Sequence, residues 1–148
     1  MSDFPSAVLF ACTMNSIRSP MAEGILKFLH GTRIYVDSVG ARSLDIDGYA
    51  ITVMDEIGID ISTHRPKTFD ELEDSYFDLV IPLSPQAQHK AVEMTRVMAV
   101  DIEFWNTFDP SIIEDESREV KLDAFRQVRD ELMIKIKDRF PLLHASDT

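Results

Sequence analysis

The chain has 148 residues, 45% hydrophobic and 28% charged, proportions that suit one globular domain with a core and exclude a disordered or fibrous chain. A formal net charge of −11 leaves no basic stripe to release phosphate counterions, so neither nucleic acid nor an anionic membrane surface is an expected partner. No apolar run approaches the roughly 20 residues of a membrane span, the N-terminus MSDFPSAVLFAC lacks a basic n-region, and a lone cysteine permits no internal disulfide, so a cytoplasmic setting is expected.

In chain order, AVLFA (7–11) is a continuous apolar run of strand length, the pattern of a strand buried on both faces of a parallel sheet. It ends at Cys12. Ser19-Pro20 then predicts a helix start, with Ser at N-cap and Pro at the first helical position. Met21, Ala22, Ile25, Phe28 and Leu29 share a helical face, and Gly31 closes the helix. RIYVDS (33–38) reads as a second strand. Asp47 opens a helix carrying Ala50, Val53, Met54 and Ile57 and stopping at Gly58. FDLVIPL (77–83) is a third strand, Ser84-Pro85 starts another helix, and RVMAVDIEF (96–104) is a fourth strand. The longest helix runs from about Ser117 to Phe140, with Phe125, Val128, Leu132 and Ile136 recurring every three or four residues. From about residue 142 onward the tail is expected to be disordered.

Strands alternating with helices predict an α/β fold: a single doubly wound domain over residues 1–148, its parallel sheet flanked by helices on both faces. Ligands of such sheets bind beyond the carboxyl ends of the strands, which is where Cys12 falls. The four histidines, His30, His64, His89 and His144, are scattered, so neither a metal site nor a cofactor is expected.

The loop from Thr13 through Met14, Asn15, Ser16 and Ile17 to Arg18 joins the first strand to its helix. A short loop at this place can aim several backbone N–H groups, and those of the first helical turn, into one concavity that suits an oxyanion. Arg18 can lay its guanidinium fork across two oxygens of that anion. The same surroundings favour thiolate over thiol at Cys12, since cysteines so placed titrate well below the ordinary value.

VLFACTMNSIRSPMAEG resembles the signature of the low-molecular-weight protein tyrosine phosphatases and of the arsenate reductases that share their fold: an apolar strand, C-x5-R-S, then P-M-A-E. DSVG (37–40), EIGIDISTHRP (56–66), FDLVIPLS (77–84) and FDP (108–110) follow in the family's order. The resemblance implies a flavodoxin-like sheet of four strands in the order 2-1-3-4. It implies a metal-independent hydrolase of phosphate monoesters, nominally phosphotyrosine in a protein substrate, working through a cysteinyl-phosphate. Cys12 would be the nucleophile, Arg18 the phosphate clamp and Asp109 of the Asp109-Pro110 pair the general acid and then base. Thr13, Met14, Asn15, Ser16, Ile17 and Arg18 would bind the phosphoryl group. Ser19, Ser38 and His64 would support the loop, Ser19 by donating toward the Cys12 sulfur as well as capping the helix, with Glu23 as a partner for His64, and Asn15 would take the left-handed backbone.

Three departures carry expectations of their own. Met14 stands where the family usually has Gly, and a positive φ there would strain it. Ile17 leaves Cys12 without a neighbouring thiol. Ser111 replaces a Tyr after Asp-Pro, so an aromatic wall would have to come from Tyr49, Trp105 or Phe108. The thioredoxin-coupled arsenate reductases pass oxidation to further cysteines. Ser84 stands where the first of these begins, so arsenate reduction would need external thiols. A third reading is a non-catalytic domain that binds anions or a partner.

Overall fold

The computed structural model describes residues 4–72, 76–114 and 117–142. Four parallel strands, β1 (Ala7–Cys12), β2 (Tyr35–Gly40), β3 (Leu79–Pro82) and β4 (Asp101–Ile102), lie in the order β2-β1-β3-β4. Four helices connect or follow them: α1 (Arg18–His30), α2 (Gly48–Asp55), α3 (Pro85–Met94) and α4 (Arg118–Arg139). The expected strand order and the α/β class are therefore both present.

β1 is central and all six of its residues are buried. Its two faces feed two cores. Val8 and Phe10 pack with Met21, Ile25 and Leu26 of α1 and with α2 and α4, whereas Leu9 and Ala11 pack with Ala87 and Ala91 of α3. Period-two alternation of side chains along a strand requires this division. Phe125, Val128, Leu132 and Ile136 of α4 are buried as their spacing predicts.

Several expected boundaries differ. Phe28 is 65% exposed and Leu26 takes its place in the core, because the face of α1 that packs with α4 carries Leu26 and not Phe28, a choice the residue pattern leaves ambiguous. β2 begins at Tyr35, two residues after Arg33, where the turn closing α1 ends with Ile34 N–H bonded to the His30 carbonyl. β4 is two residues long instead of nine. Arg96, Val97 and Met98 belong to the turn that ends α3, their amides bonded to Glu93 and Met94 carbonyls. The chain nevertheless stays alongside β3 after Ile102: Glu103, Trp105 and Thr107 donate in turn to Val80, Pro82 and Leu83. That track carries the chain to Asp109 at the carboxyl edge of the sheet. Of the expected disordered tail, residues 143–148 lie outside the described residues, and Leu142 is exposed.

α2 is fastened to α4 by one carboxylate. Glu56, the C-cap of α2, accepts from Arg126 Nε at 3.0 Å and Nη2 at 2.8 Å and from Arg129 Nη1 at 2.8 Å. Hydrogen bonding to Arg126, reinforced by Arg129, holds its pKa at about 2 against an ordinary 4.5. A carboxyl depressed on folding contributes stability that is complete above the unfolded value and disappears as pH falls through the folded one. Glu56→Gln should therefore melt below the parent protein at neutral pH, and the gap should close between about pH 4.5 and 2. Parallel thermal melts across that window check it; a gap independent of pH would refute the assignment.

Candidate active site

Segment 41–47 shapes the loop after β1 from behind. Ala41, Arg42, Leu44 and Asp47 donate their amides to the carbonyls of Cys12, Thr13, Met14 and Ser16. In a trans peptide the N–H points opposite the C=O, so these four bonds turn the amides of Thr13, Met14, Asn15 and Ile17 toward the inside of the loop. The Asn15 amide shows the result directly, donating to Cys12 Sγ at 3.3 Å. Gly40, the last residue of β2, permits this approach: a Cβ there would stand 2.6 Å from the Asn15 nitrogen.

The backbone reversal falls on Asn15, with φ of 54°, while no positive φ occurs at Met14. The strain expected at Met14 is thus absent, because the side chain that tolerates the left-handed region is the one that occupies it. Asn15 is fully buried and lies behind the anion cavity instead of lining it. Its Nδ2 donates to Ser19 Oγ at 2.8 Å and Ser38 Oγ at 3.0 Å, and its Oδ1 accepts from the Lys67 amide at 2.9 Å. Since Oδ1 is an acceptor, His64 Nε2 at 3.0 Å must be the donor to it. His64 Nδ1 then faces Glu23 Oε1 at 3.6 Å. Burial pushes the His64 pKa down, outweighing the upward pull of the Glu23 carboxylate. Glu23 is also held by Ser38 Oγ and Lys27 Nζ. Ser38, Glu23 and His64 therefore brace the loop from below and do not touch the cavity.

Ser19 does not cap α1. The helix begins two residues earlier than expected, at Arg18 instead of Pro20, with Ile17 as an N-cap that offers no side-chain bond. The Ser19 hydroxyl instead lies 2.9 Å from Cys12 Sγ and 3.3 Å from the Val39 carbonyl. Its amide reaches the sulfur at 3.5 Å. The sulfur thus accepts two amides beside a serine hydroxyl at the start of a helix, an environment that complements negative charge.

Cys12 forms the floor of a cavity of about 240 Å³. Arg18 and Asp109 share its wall, with Asp109 Oδ2 3.9 Å from Arg18 Nη2. Arg18 Nη1 donates to the Thr107 carbonyl at 2.9 Å, so the guanidinium is tied to the segment that carries Asp109. Asp109 Oδ1 accepts from the Ser111 amide at 2.9 Å and from its hydroxyl at 2.7 Å, which leaves Oδ2 toward the cavity. Thr13, Met14, Ser16 and Ile17 complete the loop side, and Leu44 and Asp47 the opposite rim.

None of the three candidate aromatics lines the cavity. Tyr49 packs against Phe125 at 5.5 Å and Trp105 against Phe10 at 6.1 Å, both turned into the core. Phe108 faces a second, larger cavity of about 580 Å³ against α4. That cavity is mostly apolar and is lined by neither a thiol nor a cationic side chain, so its size does not make it the reaction site for an anion. Two contributors were not visible in the sequence. Thr107 acts through a backbone carbonyl, which leaves no side-chain signal, and Ser84, which reads from sequence as a helix start and as the place of a relay cysteine, stands 3.0 Å from the Thr13 hydroxyl. Among the described residues no helix is long and apolar enough to cross a membrane.

A family model described as low molecular weight phosphotyrosine protein phosphatase matches residues 7–144. A glutaredoxin arsenate reductase of Synechocystis is 34% identical over 88% of this chain and 93% of its own length. An arsenate reductase of Bacillus subtilis is 35% identical over 88% and 92%. Among solved structures, a low molecular weight protein tyrosine phosphatase from T. tengcongensis superposes with a TM-score of 0.74 at 28% identity, covering 90% of this chain and 96% of the other. An arsenate reductase in its phosphate-binding state gives 0.70 at 29% identity, covering 90% and 95%.

Proposed function

From the premise that this chain belongs to the low molecular weight phosphotyrosine protein phosphatase family, we propose that it hydrolyses phosphate monoesters without a metal, through a cysteinyl-phosphate. The observation that carries this reading is that Cys12, Arg18 and Asp109 share one small cavity. The phosphoryl oxygens are met by the loop amides and the Arg18 fork, donors already oriented before substrate arrives. Cys12 Sγ attacks phosphorus as thiolate while the bond to the leaving oxygen breaks, and Asp109 gives that oxygen its proton. Asp109, now a carboxylate, takes a proton from water as the water attacks phosphorus. The P–S bond then breaks, releasing phosphate and returning Cys12 to thiolate.

Among the described residues none on the cavity wall is aromatic, and the apolar surface left for a leaving group is that of Met14, Ile17 and Leu44. Phosphotyrosine is therefore one acceptable substrate and not a favoured one. Asp109→Ala tests the proton donor: the rate on alkyl phosphates should fall about 100-fold to 10,000-fold and the rate on p-nitrophenyl phosphate much less, because p-nitrophenolate leaves without a proton. A uniform slowing of both substrates would unseat Asp109 from this role.

Arsenate reduction is the second reading, favoured by the names of the Synechocystis and Bacillus subtilis relatives. With one cysteine the chain has no thiol to resolve an oxidised Cys12 internally, so this reaction needs an external thiol. Arsenate-dependent thiol consumption, measured beside p-nitrophenyl phosphate hydrolysis on the same protein, decides between them.

A further inference from the structure

Thr13 joins two parts of the fold that are far apart in sequence. Its hydroxyl accepts from Arg18 Nη2 at 3.3 Å and stands 3.0 Å from Ser84 Oγ and 3.3 Å from Gln86 Oε1. A threonine hydroxyl has one hydrogen and two lone pairs, and a guanidinium can only donate. The contact with Arg18 therefore uses a lone pair, and the hydrogen goes to Ser84 or Gln86. Both belong to the start of α3. Ser84 is 1% exposed and its Oγ is itself oriented by the Ala87 amide, which donates to it at 3.2 Å as the helix cap. The direction of the Thr13 lone pair is thus set from α3. On its other side the guanidinium is held by the Thr107 carbonyl at 2.9 Å.

We propose that Ser84 and Gln86 are positioning residues for oxyanion binding, acting through Thr13 to hold the plane of Arg18 over the loop. The proposal rests on the reading of the Cys12 cavity as the phosphoryl site. An arginine side chain is free to sample many rotamers, and a clamp already oriented loses less freedom when the anion arrives. Neither residue touches the anion, and neither was selected by its side-chain chemistry in the sequence. Ser84 has a second job as the α3 cap, so a change in stability alone would not identify its role.

The test is tungstate affinity by calorimetry, read beside p-nitrophenyl phosphate kinetics, for Thr13→Val, for the pair Ser84→Ala with Gln86→Ala, and for all three changes together. The paired variant should bind tungstate about threefold to tenfold more weakly, the worth of one neutral hydrogen bond, and should raise KM more than it lowers kcat. The triple variant should be no weaker than Thr13→Val, because the two sets of changes break one chain of contacts. Ser84→Thr, which keeps the hydroxyl, should bind as the parent does. Unchanged affinity in the paired variant, with only a lower melting temperature, would overturn the proposal, as would effects that simply add in the triple variant. Failure of the parent protein itself to bind tungstate would instead remove the phosphoryl site, and this inference with it.

Discussion

Cys12→Ser should slow p-nitrophenyl phosphate hydrolysis on the order of ten-thousandfold or more while tungstate still binds. The cradle that receives the anion is built from backbone. Its carbonyls are locked by the amides of Ala41, Arg42, Leu44 and Asp47, and none of those bonds involves the sulfur. Serine is close to cysteine in shape, so the loop should keep its form. Its hydroxyl, unlike a thiol, carries almost no anionic form near neutral pH, and the bonds from the Asn15 and Ser19 amides would not change that enough to matter. Initial rates and calorimetric titration on the same preparation separate the two outcomes. Substantial remaining turnover would mean that some other group attacks phosphorus. Loss of tungstate binding together with turnover would mean that the sulfur organises the loop.

Arg18→Lys should lower kcat/KM by about a hundredfold to a thousandfold, although charge is conserved. The guanidinium does three things at once: it faces the cavity, donates to the Thr107 carbonyl and leans on the Thr13 hydroxyl. A lysine ammonium is a point donor and cannot span the cavity oxygens while holding Thr107. Since Thr107 is two residues before Asp109, the loss should reach the proton donor as well as the anion. A fall in kcat as well as a rise in KM is therefore expected. Steady-state kinetics with p-nitrophenyl phosphate and an alkyl phosphate provide the check. A change confined to KM would mean that Arg18 binds ground state and transition state equally, without positioning the Asp109 segment.

The later charges of the chain illustrate a different balance. Glu56 draws its depressed pKa from Arg126 and Arg129, and both come from α4, some seventy residues away. EIGIDISTHRP reads as a family segment in the sequence, and nothing in it shows that its first residue ties two helices together. His64, in the same segment, has its pKa pushed down by burial that only packing produces.

Neighbouring residues alone encode the order of strands and helices, the placement of Cys12 at a strand's carboxyl end, and the spacing that brings Arg18 back over Cys12. These are local matters: apolar periodicity, Ser-Pro helix starts and a six-residue loop are written in neighbouring residues. Local rules misread Ser19 as a cap, since a serine before a proline looks the same whether or not its hydroxyl meets a helix amide; its place beside the sulfur was legible only through the family resemblance. Tertiary structure decided that hydroxyl's partner, the inward turn of Tyr49 and Trp105, the short β4, and the bracing of Arg18 by Thr107 and Thr13. Each of these depends on how the chain folds back to donate, accept or pack, for Thr107 and the core aromatics from a distant segment, and a hydrogen bond's value lies in that geometry and not in the identity of either residue alone.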